Sequence, residues 1–139
     1  MKILFVCTGN TCRSPMAEYL CRHTLEKAGK ADISCSSAGL FANTGEGIST
    51  NARLVLSELG IDASAHKARQ LTQQMLDADR IYVMSDSHKA LLQQAFEVQA
   101  GKVQVLRPPV SDPFGGDVAC YRACRDQLAG AIKKIIATV

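Results

Sequence analysis

The chain has 139 residues, enough for one domain with a substantial core and too few for two domains of ordinary size. Hydrophobic residues make up 47% and no apolar run approaches the roughly 20 residues that cross a bilayer, so we expect a soluble globular protein without a membrane partner. The net charge is only +3 without a block of Lys and Arg, which argues against nucleic acid as a partner. Only Lys2 precedes the first apolar run, so no signal peptide is expected, and the six cysteines fit a reducing cytoplasm.

Short apolar runs alternate with amphipathic segments along the chain. Strands are predicted at residues 3–6, 33–37, 80–84 and 103–106. Helices are predicted at 15–28, from a Ser49 cap to Gly60, after a cap at Ser85 or Asp86, and from about 117 to 136, with a short helical turn at 72–76.

This alternation predicts an α/β fold. We expect a three-layer α/β/α sandwich with a four-stranded parallel sheet, formed by a single domain of residues 1–139. Ligands of such sheets bind beyond the carboxyl ends of the strands. The loops after the first and fourth strands both lie at that edge, so residues near positions 7 and 112 are expected to meet.

The loop between the first strand and the first helix has the layout of a phosphate cradle. Ser14 is predicted to cap the helix and Pro15 to take its first position. A helix N-terminus presents unpaired N–H groups and partial positive charge, which favour an anion. Glycine and asparagine tolerate the left-handed conformations that such a loop needs. The loop residues are Cys7, Thr8, Gly9, Asn10, Thr11, Cys12 and Arg13.

Cys7 and Arg13 are the candidate nucleophile and phosphate clamp of this loop. The N–H groups and the helix dipole favour the thiolate form of a cysteine placed there. The guanidinium offers a planar fork of donors for two phosphoryl oxygens. The alternative is a buried cysteine beside a solvated arginine, since such a pair occurs often by chance. The strand before the loop, Gly-Asn within it and Ser-Pro after it favour the catalytic interpretation.

The loop after the fourth strand offers an acid, Asp112, followed by Pro113 and Phe114. Phosphoryl transfer to a thiolate needs a proton for the leaving group, and a carboxyl above the cradle would supply it. The alternative is that Asp-Pro and Gly-Gly only mark a turn. Asp86 and Asp117 are further candidates for the acid.

These motifs resemble the low-molecular-weight protein tyrosine phosphatases across essentially the whole chain. The matching segments are 7–15, Ser37-Ala38-Gly39, 66–70 and Asp112-Pro113-Phe114. The resemblance implies hydrolysis of phosphorylated proteins through a phosphocysteine, without metal or cofactor, by a nucleophile at Cys7, a clamp at Arg13 and a general acid at Asp112.

The resemblance also implies supporting roles around the cradle. It places Asn10 in a strained conformation held by Ser14, Ser37 and His66. It makes Cys12 a partner for a reversible disulfide with Cys7. Spacing alone would have left His66 as an ordinary surface or core histidine.

Three departures from the tyrosine-specific pattern bear on the substrate. Tyrosine-specific members often have a bulky aliphatic residue where this chain has Thr11, and two tyrosines where it has Phe114-Gly115. They also have an aromatic residue that lines the wall of the substrate pocket, where this chain has Asn43, with Phe41 two positions earlier. Thr11 with Phe114-Gly115-Gly116 resembles the protein arginine phosphatase branch, and a hydroxyl at the rim suits a polar guanidinium leaving group. We therefore expect phosphoarginine, with phosphotyrosine as the alternative.

Other functions fit less well. An arsenate reductase of this fold needs a further cysteine pair in the middle of the chain, and residues 36–119 contain no cysteine. A nucleotide P-loop needs a Gly-Lys-Ser/Thr ending, which this loop lacks. A non-enzymatic anion-binding or phospho-carrier module would not need Arg13 and Asp112 together. Cys21, Cys35, Cys120 and Cys124 are expected to serve packing rather than metal binding, and the protein is expected to be a monomer.

Overall fold

The computed structural model describes all residues, 1–139, and has a four-stranded parallel sheet at its centre. The strand order is β2-β1-β3-β4, so β1 lies inside the sheet between β2 and β3. The strands are β1 Lys2–Cys7, β2 Ser34–Gly39, β3 Arg80–Val83 and β4 Val103–Val105. All four predicted strands are present, and the α/β prediction is confirmed.

Four α-helices connect and cover the strands. They are α1 Arg13–Lys27, α2 Thr50–Ser57, α3 Asp86–Ala95 and α4 Val118–Ile136, and two 3₁₀ turns lie at Gln73–Asp77 and Ala100–Lys102. Ser49 caps α2 by accepting from the Ala52 N–H, as predicted, and Ser85 rather than Asp86 caps α3. No helix combines the length and the apolar character needed to cross a membrane.

The alternation of side chains along β1 divides the core into two halves. Ile3 and Phe5 pack on the side of α1, α2 and α4, whereas Leu4 and Val6 pack with α3 and the first 3₁₀ turn. Because successive side chains of a strand point to opposite faces, β1 is apolar from Ile3 to Cys7 and is buried on both faces there. This is the predicted three-layer arrangement.

The start of α1 differs from the prediction. The helix begins at Arg13, Cys12 occupies the N-cap position without a side-chain cap, and Pro15 is the third helical residue instead of the first. Ser14 cannot serve as the cap because its hydroxyl is engaged with the side chains of Asn10 and Cys7. The first turn of the helix therefore lacks a side-chain cap, as an anion site at a helix N-terminus requires.

The loops at the carboxyl edge of the sheet are tied to one another by backbone hydrogen bonds. Leu40 N–H donates to the Cys7 carbonyl and Phe41 N–H to the Thr8 carbonyl, each at 2.9 Å. On the other side, Val110 N–H donates to the Met84 carbonyl at 2.9 Å, which holds the loop after β4 against the end of β3. This edge carries the candidate site.

Candidate active site

Cys7 is the last residue of β1 and is buried, and its sulfur lies at the floor of the loop that leads into α1. Its Sγ lies 2.9 Å from the Ser14 Oγ. The Ser14 hydroxyl already accepts a hydrogen bond from Asn10 Nδ2 at 2.8 Å, which leaves its proton available for the sulfur. The Ser14 hydroxyl is therefore placed to donate to the Cys7 sulfur.

Asn10 holds the shape of the loop and is the one non-glycine residue with positive φ, at 57°. Its Nδ2 donates to Ser14 and to Ser37 Oγ at 2.9 Å, and its Oδ1 accepts from the Arg69 N–H at 2.9 Å. His66 Nε2 donates to the Asn10 carbonyl at 2.8 Å. These bonds offset the cost of a left-handed conformation for a residue with a Cβ. The structure thus brings together the four residues that the family resemblance joined.

A buried carboxylate extends this network into α1. Ser37 Oγ donates to Glu18 Oε1 at 2.6 Å, and the Glu18 carboxylate also pairs with Arg22 at 2.6 Å. Sequence reasoning missed Glu18 and Arg69, because neither has a local signal for a contact made to a distant loop.

Gly39 allows β2 to approach the loop closely. A Cβ at this position would lie 2.6 Å from the Thr8 carbonyl oxygen and 3.1 Å from the Asn10 nitrogen. Both neighbours are backbone atoms of the cradle and cannot rotate away, so glycine is required here for space.

Arg13 and Asp112 meet across the site, as their positions at one sheet edge predicted. Arg13 is 7% exposed and donates from Nη1 to the Val110 carbonyl at 3.0 Å, while its Nη2 lies 3.7 Å from Asp112 Oδ2. The Asp112 side chain is 52% exposed, and its Oδ1 accepts from the Phe114 N–H at 3.0 Å. The carboxyl is held beside the guanidinium by a turn and still faces solvent.

The two further acid candidates are engaged elsewhere. Asp86 pairs with Arg107 at 2.8 Å, and that hydrogen-bonded guanidinium lowers the pKa of its carboxyl. Asp117 caps α4 through the Cys120 N–H, and this bond lowers its pKa as well. Both carboxylates are engaged with other partners, whereas Asp112 lies beside Arg13, so Asp112 is the acid that the geometry favours.

The rim of the loop carries three predicted wall residues. Thr11 is half-buried, and its carbonyl accepts from the Ser49 N–H at 2.9 Å. Phe41 and Phe114 are 69% and 78% exposed, the two most exposed large hydrophobic residues of the chain. They follow β2 and β4 in the chain, and both rings are exposed to solvent.

Cys12 is the second cysteine of the loop, and its sulfur contacts side-chain hydroxyl groups. Its Sγ lies 3.4 Å from both the Ser49 Oγ and the Tyr121 hydroxyl. Burial, followed by the bond to Cys12, raises the pKa of Tyr121 to about 12, so the phenol stays protonated and can donate.

His88 is a buried histidine beside the cradle that the sequence analysis did not single out. Its Nε2 lies 2.8 Å from the Thr8 Oγ1, and its Nδ1 is buried without a partner. Burial, and then the Arg13 charge, lower its pKa to about 4, so the ring is neutral near pH 7. Its proton belongs on Nε2, where it has an acceptor, and the Thr8 hydroxyl keeps its own proton for the cradle.

Comparison with known proteins identifies the family. Residues 2–139 match the family model for low molecular weight phosphotyrosine protein phosphatase. The chain is 41% identical to a protein-arginine-phosphatase of Geobacillus stearothermophilus, over 96% of this chain and 93% of the relative. It is 36% identical to the low molecular weight protein-tyrosine-phosphatase PtpB of Staphylococcus haemolyticus, over 97% of each chain.

A solved structure gives the same result. The YwlE arginine phosphatase, as a Cys-to-Ser mutant with a phosphorylated active-site serine, superimposes with a TM-score of 0.94 at 34% identity, covering 99% of this chain and 95% of that one. The resemblance predicted from the sequence, including its arginine phosphatase branch, is thus confirmed. The chain belongs to the low molecular weight phosphotyrosine protein phosphatase family.

Proposed function

We propose that this protein hydrolyses phosphoarginine in protein substrates through a phosphocysteine on Cys7. The observation that carries the proposal is the arrangement of the Cys7 sulfur, 2.9 Å from Ser14, at the uncapped start of α1, with Arg13 and Asp112 3.7 Å apart beside it. The relative whose active-site serine is phosphorylated supports phosphoryl transfer to this position.

In the first half of the reaction the Cys7 thiolate attacks phosphorus in line with the leaving nitrogen. The loop N–H groups of 8–13 and the Arg13 guanidinium bind the phosphoryl oxygens, which gain charge in the transition state. Asp112, protonated, gives its proton to the departing guanidine nitrogen as the P–N bond breaks. The products are a phosphocysteine, an arginine side chain and the Asp112 carboxylate.

In the second half, water attacks the phosphocysteine. The Asp112 carboxylate takes a proton from this water, the P–S bond breaks, and the Cys7 thiolate is regenerated with release of inorganic phosphate. Ser14 can donate to the sulfur again as it leaves, since the bond needs no rearrangement of the loop.

The rim supports phosphoarginine as the substrate. Thr11 places a hydroxyl where an apolar side chain would pack on a phenyl ring, and Phe114 is followed by two glycines. Phe41 and Phe114 both stand exposed to solvent. The relative of 41% identity is a protein-arginine-phosphatase. Phosphotyrosine is the second candidate, because a relative of 36% identity is a protein-tyrosine-phosphatase.

The test is kcat/KM for a phosphoarginine peptide and a phosphotyrosine peptide of the same sequence, measured side by side. We expect a preference for phosphoarginine of at least about 10-fold, the discrimination that one rim contact can supply. A preference for phosphotyrosine would overturn the substrate assignment but leave the assignment as a phosphatase intact. Release of one dephosphorylated peptide per protein molecule, with the phosphate retained on the protein, would favour the phospho-carrier alternative.

We also propose that the protein is a cytoplasmic monomer of one domain. The six cysteines are all unpaired in the structure, which suits a reducing compartment. Light scattering coupled to size-exclusion chromatography should give a mass near 14.9 kDa, and a mass of twice that value would refute the monomer.

Cys12 supports a second proposal taken from the family, a reversible disulfide with Cys7. Its sulfur would have to leave Ser49 and Tyr121 to reach Cys7. Trypsin releases both cysteines on one peptide, residues 3–13, so the disulfide would make this peptide lighter by two hydrogens. Recovery of the peptide with two free thiols after mild oxidation would contradict it.

A further inference from the structure

Two buried cysteines outside the active site have their sulfur atoms in direct contact. Cys21 on α1 and Cys35 on β2 are 0% and 5% exposed, and their Sγ atoms lie 2.6 Å apart. This separation exceeds the bond length of a disulfide, about 2.05 Å, by only about half an ångström. The phosphatase chemistry uses neither residue.

The other cysteines have different surroundings. Cys7 faces the Ser14 hydroxyl, Cys12 faces three hydroxyl groups, and Cys124 lies 4.0 Å from the Ser111 carbonyl. Cys120 is exposed. Contact between two sulfur atoms is therefore specific to Cys21 and Cys35, and it is not a general consequence of a cysteine-rich core.

The contact lies in the interface between α1 and β2, which also holds the Ser37–Glu18 hydrogen bond next to the phosphate-binding loop. Cys21 follows Glu18 by one helical turn, and Cys35 precedes Ser37 by two residues, on the same face of β2. The Cys21–Cys35 contact and the Ser37–Glu18 hydrogen bond of 2.6 Å therefore join the same two elements side by side.

Cys35 can be reached from the surface. It lines a cavity of about 380 Å³ together with Arg22, Glu26 and Lys30, and this cavity offers a path for a disulfide oxidant. Oxidised glutathione is a suitable probe of this class.

We propose that Cys21 and Cys35 form a disulfide under thiol oxidation, which ties α1 to β2 independently of the chemistry at Cys7. The Cys35 thiol loses its proton and attacks one sulfur of the oxidant R–S–S–R, releasing R–SH. The Cys21 thiol then loses its proton and displaces the second R–SH from the mixed disulfide. Two electrons and two protons pass from the protein to the oxidant, which is reduced to two thiols.

The disulfide should form slowly and should stabilise the folded protein once formed. The bond from Cys35 and burial raise the pKa of the Cys21 thiol, so little thiolate is present and the second displacement is delayed. Oxidation should therefore be followed over hours. The product bridges residues 14 positions apart, and a cross-link of this length restricts the unfolded chain enough to raise Tm by roughly 5 to 10 °C.

The experiment maps disulfides in the full chain after incubation with oxidised glutathione and alkylation of the remaining thiols. Trypsin places Cys21 on peptide 14–22 and Cys35 on peptide 31–53, each with no other cysteine, and both active-site cysteines on peptide 3–13. We expect a covalent 14–22/31–53 pair that reduction separates. Peptide 3–13 serves as the reference for complete oxidation. If it is fully oxidised while peptides 14–22 and 31–53 are recovered separately with alkylated cysteines, the proposal is overturned.

Matched variants give a second readout. Oxidation should raise Tm equally in the wild type and in Cys120→Ala, which removes an exposed cysteine, and should raise it less in Cys35→Ala, where only the active-site pair can be cross-linked. An equal rise in Cys35→Ala would assign the stabilisation to another site and refute the proposal. If Cys35→Ala does not fold, the peptide map of the wild type decides the question alone.

Discussion

At the scale of single residues, the chemistry depends on which atoms face the cradle, and the sequence indicated only some of them. Cys7, Arg13 and Asp112 were predictable because a strand end, a helix start and a Pro-containing loop place them at one edge of the sheet. His88 was not, since its contact with Thr8 spans 80 positions and no local pattern distinguishes it. The Cys21–Cys35 contact was missed for the same reason, and both residues were assigned to packing alone.

Asp112→Asn should lower kcat/KM for a phosphoarginine peptide, which reports phosphoryl transfer to Cys7 and not the later hydrolysis, by about 10²- to 10³-fold, because the amide cannot give a proton to the leaving nitrogen. The rate constant for an activated aryl phosphate, whose phenolate leaves without a proton, should fall much less in this variant. Steady-state kinetics on both substrates measures this difference.

The matched control is Asp86→Asn, which removes an exposed carboxylate paired with Arg107. It should leave kcat/KM unchanged. An equal loss on both substrates in Asp112→Asn, or a large loss in Asp86→Asn, would contradict the assignment of the acid.

Thr11→Val replaces the rim hydroxyl by a methyl group of similar volume. The kcat/KM ratio of phosphotyrosine to phosphoarginine should rise by about 10-fold, since an apolar rim suits a phenyl ring and not a guanidinium. The ratio cancels any loss of folded enzyme, so it serves as its own control. An unchanged ratio would show that Thr11 does not set specificity.

At the scale of elements, apolar periodicity predicted every strand and helix, but contacts between elements set their ends. β2 continues to Gly39, beyond the predicted residue 37, because it pairs in register with β1 up to Cys7. The start of α1 shifted to Arg13 because Ser14 is bonded to the loop. Such boundaries depend on long-range partners, which a local pattern does not contain.

Gly39→Ala should therefore damage the cradle more than the fold. A Cβ at 2.6 Å from the Thr8 oxygen must push the loop away from β2. A displacement of this kind misplaces the N–H groups that bind phosphate, so we expect kcat/KM to fall by about 10- to 100-fold. Enzyme kinetics and circular dichroism, measured together, separate this effect from unfolding.

Gly130→Ala is the matched control, because a Cβ on this exposed position of α4 meets nothing within 4 Å. It should keep full activity and raise stability slightly, as alanine favours a helix over glycine. Normal kinetics in Gly39→Ala would show that the loop tolerates the added atom.

At the scale of the whole molecule, the family confirms the predicted cysteine-dependent phosphatase class. The single domain and the monomer stay predictions. The site also links the two halves of the core: α1 supplies Arg13 and Ser14 from one face of the sheet, and α3 supplies His88 from the other. A buried, neutral group in α3 should therefore couple the stability of the protein to pH.

The folded protein should lose stability as the pH falls from about 6.5 to 4. His88 has a pKa of about 4 when folded and an ordinary value of 6.5 when exposed, so between these values the unfolded chain binds the extra proton. Stability then decreases with falling pH, by about 1 to 3 kcal/mol in total, given about 1.4 kcal/mol for each pKa unit. Urea unfolding across this range measures the slope.

His88→Gln should flatten this slope, whereas His23→Gln, which removes a less buried histidine, should keep it. Glu58 affects the stability of the protein in a separate, lower pH range. Hydrogen bonds from Arg122 and then Arg125 lower its pKa to about 2 from an ordinary value of 4.5, so its contribution is lost only below about pH 4.5. If His88→Gln keeps the wild-type slope between pH 6.5 and 4.5, the acid sensitivity there does not come from the histidine beside the cradle.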